Sequence, residues 1–415
     1  MIGTIRRAAG AGLAALLLAA SAACTSDGTA HQVVLTVDNA TADNTTALAD
    51  QRVHLRVTGL KADQPVTLTA EADDYGGNRW RSTADFRADG AGDVDLDRAV
   101  PTGGTYHQAD GMGLFWSMKV DGAAGLFQPG HVGSTDTSRI RITVRVADRA
   151  VADRTVIRSW VGDGVTVRQL TMAADKMIGR LYLPPAGSAP KAPVLLLGGS
   201  EGGIGLGPTA ELLAAHGHPA LALAYFGLSG LPPTLQDVPV EYAAAAAGLL
   251  AALPGTDPSK LAVIGYSRGS ELALLTAQNR PDLVHRVVVY APSAQVNPGL
   301  GGGVAWTLGG APVPAGPIPT DRIGGPLLAL AGADDQLWPS ERWARQLGAP
   351  SPAAPLRQVV VYPAAGHSVG TYPYLPSPTT VTTIQRQVLA LGGTDAGNEA
   401  AQVDGWAKVL ALLDS

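Results

Sequence analysis

Leu261-Ala-Val-Ile-Gly265-Tyr-Ser267-Arg-Gly269 runs straight into Glu271-Leu-Ala-Leu-Leu-Thr-Ala-Gln278. An apolar, β-branched run, a serine with glycine two residues away on either side, and a helix-forming run follow one another without a break. In that setting Gly-x-Ser-x-Gly predicts a sharp strand-to-helix turn that presents the serine hydroxyl. The pattern alone means little in a chain with 51 glycines, and two further matches occur: Gly198-Gly-Ser200-Glu-Gly202 and Gly366-His-Ser368-Val-Gly370. Their surroundings set them apart. Ser200 leads into Gly202-Gly-Ile-Gly-Leu-Gly-Pro208, a flexible stretch that reaches a helix only near Thr209. Ser368 leads into Tyr372-Pro-Tyr-Leu-Pro376, where proline removes backbone donors and cannot continue a helix. Ser267 is the candidate nucleophile.

A serine hydroxyl attacks poorly until a histidine takes its proton and an acid holds that histidine. Of the eight histidines, His31, His54, His107 and His131 lie in an N-terminal segment of different texture. His216 and His218 flank a glycine at a helix end, where histidine complements the helix dipole. His285 precedes a strand. His367 follows the strand-like Val359-Val-Val-Tyr-Pro363 in a glycine-rich loop, downstream of both serine and acid. The acid comes after Leu327-Leu-Ala-Leu-Ala-Gly332, where Asp334 and Asp335 are adjacent and both possible. Ser, Asp, His is the chain order of α/β-hydrolases. In such enzymes the acid often lies three residues after the glycine, ahead of a hydrophobe–proline pair (here Trp338-Pro339), which favours Asp335. Asp334 reads as a turn residue bonding its own backbone.

Attack on a carbonyl also needs N–H groups aimed at the developing negative charge. The amide of Arg268, next after the serine, is one. The second comes from a loop after an earlier strand. Val194-Leu-Leu-Leu197 followed by Gly198-Gly-Ser-Glu-Gly-Gly203 fits, since glycine lets backbone approach a ligand. Ser200, Glu201 and Gly202 are its candidates. The loop lacks the Lys-Ser/Thr ending of a phosphate-binding P-loop.

Around these residues, strand-like runs at 194–197, 220–225, 261–265, 287–290, 327–331 and 359–362 alternate with helical runs at 209–216, 240–252, 271–278 and 398–413. Alternation of this kind means a mainly parallel sheet covered by helices on both faces, with ligands at the carboxyl ends of the strands. The expected fold over residues 151–415 is an α/β-hydrolase catalytic domain. Residues 51–150 read differently. Val53-His-Leu-Arg-Val57, Val66-Thr-Leu-Thr-Ala70, Arg81-Ser-Thr-Ala-Asp-Phe86 and Ile140-Arg-Ile-Thr-Val-Arg-Val146 have period two and are separated by turn clusters. That predicts an all-β, immunoglobulin-like sandwich domain. Residues 24–50 are expected to be a tether with a first short strand near Val33–Val37.

Residues 1–23 are not fold. Arg6-Arg7, a short apolar run to Ala20 and Ser21-Ala-Ala-Cys24 make a secretory leader, too short to stay in a membrane as a spanning helix. Cys24 is the only cysteine and stands where a bacterial lipoprotein is cut and acylated. The expectation is an exported protein, anchored through lipid on Cys24 to the extracytoplasmic face of a bacterial cell membrane and without disulfides. The composition, 46% hydrophobic and 16% charged, is globular, and a net charge of −5 offers no basic surface for nucleic acid. The chemistry calls for no metal and no cofactor.

With these residues assembled, the chain resembles the acyl-CoA thioesterase / bile acid-CoA:amino acid N-acyltransferase family. The likeness covers almost everything after about residue 50. It rests on Val53-His-Leu-Arg-Val-Thr-Gly-Leu60, Trp80-Arg-Ser-Thr-Ala-Asp-Phe86 and Gly111-Met-Gly-Leu-Phe-Trp116, on Leu221-Ala-Leu-Ala-Tyr-Phe226 and Val263-Ile-Gly-Tyr-Ser-Arg-Gly-Ser-Glu-Leu272, and on Gly332-Ala-Asp-Asp-Gln-Leu-Trp338, Tyr362-Pro-Ala-Ala-Gly-His367 and Ala401-Gln-Val-Asp-Gly-Trp406. The resemblance implies a β-sandwich followed by a dienelactone-hydrolase-like α/β-hydrolase domain, with Ser267, Asp335 and His367 as catalytic triad and an acyl thioester as substrate. In this family a cysteine nucleophile goes with transfer to an amino acid and a serine with hydrolysis, so serine here favours water. The family's CoA thioesters are cytoplasmic. Behind an export leader the substrate can equally be another thioester, a carboxylic ester, a lactone or a cell-envelope lipid. The rival readings are an amino acid N-acyltransferase or a carboxylesterase/dienelactone-type hydrolase in the same site, and a non-catalytic surface binding protein.

Overall fold

Central strands of a parallel sheet are buried on both faces and so read as unbroken apolar runs. The computed structural model, which describes residues 32–38, 46–120, 126–129, 137–349, 356–370, 372–382 and 388–415, builds its largest sheet from such runs. Its strands are β1 (Thr166–Leu170), β2 (Ile178–Leu183), β3 (Val194–Leu197), β4 (Ala220–Ala224), β5 (Ala262–Tyr266), β6 (Arg286–Tyr290), β7 (Leu327–Gly332) and β8 (Arg357–Tyr362). Their order across the sheet is β1-β2-β4-β3-β5-β6-β7-β8. β1 and β2 pair antiparallel with their neighbours; every pairing from β4 to β8 is parallel.

Alternate residues of these strands feed two cores. On one face Leu195, Val263 and Val289 pack with helices α2 (Val240–Ala251), α3 (Arg268–Asn279) and α4 (Ser340–Leu347). On the other, Leu196, Ile264 and Val288 pack with α1 (Gly207–Ala215) and α5 (Asp395–Asp414), and this second core continues into the N-terminal strands through Trp160 and Phe115. The chain runs outward from β3 to β4 and then returns to β5 on the other side, so the carboxyl ends of β3 and β5 flank the point where the winding reverses. Ligands of open α/β sheets bind at such points.

Before residue 160 the described elements are strands, apart from the four-residue helix Gly113–Trp116. Val34–Asp38, His54–Thr58 and Val94–Asp95 form one antiparallel sheet. Pro65–Asp73, Arg79–Arg87, Thr137–Val146 and Arg149–Ser159 form the body of another, with Thr46–Leu48 added parallel to its edge. Arg79–Arg87 alternates exposed and buried residues, as one face on a core requires. The expected leader, Cys24 and the tether up to residue 31 lie outside the described residues.

Candidate active site

The register of the sheet assembles the site. Leu197 of β3 pairs with Gly265 of β5, so Gly199 and Ser267, each two residues further on, meet over the sheet edge. Ser267 caps α3 with φ 52° and ψ −119°. A non-glycine residue there is strained, on the order of 1–3 kcal/mol, and such strain is tolerated where surrounding structure over-determines it. Here its N–H donates to Tyr290 O at 3.0 Å and its carbonyl accepts from both the amide and the hydroxyl of Ser270. The motif's glycines are spatial necessities. A Cβ on Gly265 would lie 2.4 Å from Gly269 O, and one on Gly269 2.2 Å from the carbonyl oxygens of Leu197 and Gly198.

β7 and β8 deliver the other two residues. Gly332 pairs with Tyr362, and the loops beyond them touch so closely that a Cβ on Gly332 would sit 2.3 Å from Ala365 O. His367 Nε2 lies 3.0 Å from Ser267 Oγ, and its Nδ1 lies 2.9 Å from Asp335 Oδ2. A carboxylate only accepts, so Nδ1 carries its proton toward Asp335 and Nε2 is left to accept from the serine. The other oxygen of Asp335 is held by the amides of Leu337 and Trp338. Asp334 faces elsewhere: its Oδ2 accepts from Gly393 N at 2.9 Å. The imidazole is buried between the rings of Tyr266 and Trp338, at 5.6 and 5.7 Å, and Tyr266 Oη donates to His367 O. Asn398 of α5 braces the loop by accepting from Gly366 N. This arrangement can pass the serine proton to Nε2 and leave the oxygen free to attack.

Donors for an oxyanion lie on two elements. The amide of Arg268 is the first of α3, among those left without a partner inside the helix. Its guanidinium turns away, buried beside Glu271 and donating to Asn297 O. In the glycine loop the residue against Ser267 is Gly199, where a Cβ would lie 3.2 Å from Ser267 Cβ. Ser200, Glu201 and Gly202, the donors read from the sequence, follow it in the same loop. Gly202 faces the Phe226 ring and Ser200 is exposed. Glu201 folds its carboxyl back over the loop, where Oε1 accepts from Gly199 N at 2.9 Å. Crowding around that carboxyl raises its proton affinity above the ordinary range, against the opposing pull of the amides and of His367. Among the described residues no cluster of His, Cys, Asp and Glu is arranged to hold a metal ion.

A strained serine behind β5, an acid after β7 and a histidine after β8, on this strand order, define the class as α/β-hydrolase. Comparison with known proteins narrows it. Residues 50–172 match the family model for the acyl-CoA thioester hydrolase/BAAT N-terminal region, and residues 311–415 match that for the BAAT/acyl-CoA thioester hydrolase C terminus. Acyl-coenzyme A thioesterase 6 of Mus musculus is 30% identical over 397 residues, covering 87% of this chain and 92% of the mouse protein. Acyl-coenzyme A amino acid N-acyltransferase 2 of Rattus norvegicus is 30% identical over 403 residues, covering 88% and 94%. A putative dienelactone hydrolase from Klebsiella pneumoniae, 17% identical, covers 60% of this chain and 99% of its own at a TM-score of 0.40, too slight a likeness to bear on the fold. The chain belongs to the acyl-CoA thioester hydrolase/BAAT family.

Proposed function

We propose that the protein cleaves acyl thioesters through a covalent acyl-enzyme on Ser267. The observation that carries this reading is the unbroken chain from Ser267 Oγ through His367 to Asp335, at 3.0 and 2.9 Å. His367 Nε2 takes the hydroxyl proton as Oγ bonds to the acyl carbon. The carbonyl oxygen becomes an oxyanion, met by the Arg268 amide and the Gly198–Gly203 loop. The C–S bond then breaks and His367 returns the proton to the leaving sulfur. Water, deprotonated by His367, attacks the acyl-serine, releasing the carboxylic acid and restoring the hydroxyl. A fluorophosphonate probe on the leaderless protein should modify the peptide bearing Ser267 and abolish thiol release from a short-chain acyl thioester. Labelling at another residue with undiminished turnover contradicts the reading.

Equal 30% identity to the rat N-acyltransferase favours an amine acceptor as the second reading. Appearance of the conjugate on adding glycine or taurine would select it. The proposal also includes the division of the chain read from the sequence, a lipoprotein leader over 1–23, a tether and first strand over 24–50, an immunoglobulin-like sandwich over 51–150 and a catalytic domain over 151–415, with the sandwich extended to include Thr46–Leu48 and Arg149–Ser159, which pair within its sheets. Its support is the charged, apolar and small-residue order before Cys24, and the two sheets that share one core. The site then faces the outside of the membrane, and the thiol carrier need not be CoA. Radiolabelled palmitate should enter the wild type and not Cys24→Ser; equal labelling removes the anchor.

A further inference from the structure

Glu201 has no part in the mechanism above, yet its carboxyl is seated with care. The sheet register brings Gly199 against Ser267, and it is the Gly199 amide that we assign as the loop donor. That amide already has an acceptor, Glu201 Oε1, at 2.9 Å, and the amide of Glu201 donates to the same carboxyl. A carboxylate oxygen on these amides carries the charge that an oxyanion would bring to them in the reaction.

The seat is cut to fit. A Cβ on Gly198 would lie 2.5 Å from Glu201 Oε1, one on Gly199 2.8 Å from Oε2, and one on Gly205 1.8 Å from Oε1. None of these three glycines has the positive φ that would by itself call for glycine, unlike Gly202 and Gly203 in the same loop. At Gly205 the three atoms nearest such a Cβ all belong to Glu201, with the carboxyl oxygen closest. The carboxyl also carries a desolvation penalty, so the seat is not its most comfortable place. Glu201 as a residue is exposed, so its side chain borders solvent even with its carboxyl seated on the loop.

We infer that the Glu201 carboxylate is a built-in occupant of the loop half of the oxyanion site, seated on the Gly199 amide in the resting enzyme and displaced by the entering acyl carbonyl. The inference rests on the proposed role of Ser267. Every acylation then includes the removal of this side chain, and the residue restrains turnover instead of promoting it.

The test uses phenylboronic acid, whose boron accepts Ser267 Oγ while His367 takes the proton. The boron becomes a tetrahedral anion with a hydroxyl oxygen in the oxyanion position. A hydrogen bond to a charged group accounts for roughly a tenfold difference or more. Glu201→Ala should therefore bind the boronic acid at least about tenfold tighter than the wild type, and Glu201→Gln, which keeps the shape without the charge, should fall between. kcat/KM for a short acyl thioester should rise in the same order. Glu201→Gln is close to isosteric and serves if the alanine variant fails to fold. Unchanged or weaker boronate binding in the variants overturns the inference, as does a fall in kcat/KM. Ser267→Ala separates the two levels. If it loses boronate binding while wild type and Glu201 variants bind alike, the occupant is wrong and the nucleophile stands. If it binds as tightly as wild type, both fall.

Discussion

Ser267 and Asp335 each depend on a backbone arrangement that a neighbour could not supply. Ser267 is held at positive φ by the bonds of its own N–H and carbonyl, with glycines where any side chain would collide with backbone. Asp335 and Asp334 stand side by side in the chain and face different partners, the first the imidazole and the second Gly393. The pair gives a sharp prediction. Asp335→Asn keeps the shape but removes the charge and disturbs the histidine tautomer, so thioester turnover should fall by roughly 10⁴-fold. Asp334→Asn should stay within a few-fold of wild type. Comparable losses in both variants, measured as kcat on one thioester, would contradict the assignment. These two aspartates were nearly legible in sequence, because spacing from Gly332 and the Trp338-Pro339 pair point to the second. Gly199 and the seat of Glu201 were not. Which of several consecutive glycines meets the serine depends on how the loop folds, and six residues of Gly, Ser and Glu carry no periodicity to reveal it.

At the scale of elements, the strands that positioned the site were the readable ones. β3 to β7 are buried almost throughout and so appear as apolar runs. β1 was invisible because four of its five residues are exposed, as suits an edge strand, and β2 beside it mixes Gly179 and Arg180 into its run. Arg149–Ser159 escaped for the same reason: its first half lies open to solvent and alternates charge with alanine. Helix α4 is short and amphipathic, with Trp343, Ala344 and Leu347 as its apolar buried residues. Helix α5 was expected from its apolar spacing, and it carries a feature only the structure reveals. Glu399 is buried, accepts from Tyr374 N through both oxygens, and is pushed up to about 8 mainly by burial, with Asp110 adding and Arg52 and Arg158 opposing. A carboxyl raised in the folded state stabilises when protonated, and that contribution drains away as pH rises from the ordinary carboxyl range through about 8. Glu399→Gln should match wild type in thermal midpoint at pH 5 and exceed it by several degrees at pH 9. An equal or lower midpoint at pH 9 would show that the ionised form is well accommodated.

Across the whole molecule, residues 33–415 form one compact unit, although the sequence changes texture near residue 150. The reason is the second core, which runs without interruption from Leu35 through Trp160 to Val409. Polar ties cross the same region. Arg158, fully buried, donates to the carbonyls of Ala49 and Gln51, while Asp50 accepts from His216 of the α1 C-cap and from Trp406 of α5. Texture reports local periodicity and burial, and a shared core between two textures leaves no mark in either. The leaderless protein should therefore show a single calorimetric unfolding transition; two well-separated transitions would mean that the two parts fold independently. What this shared frame holds in place is one hydroxyl at the reversal point of the sheet. The most direct test is the turnover of Ser267→Ala on an acyl thioester that the wild type hydrolyses, with the fold checked by circular dichroism. The account predicts a loss of roughly 10⁶-fold in kcat. A folded Ser267→Ala that retains near wild-type turnover would contradict it.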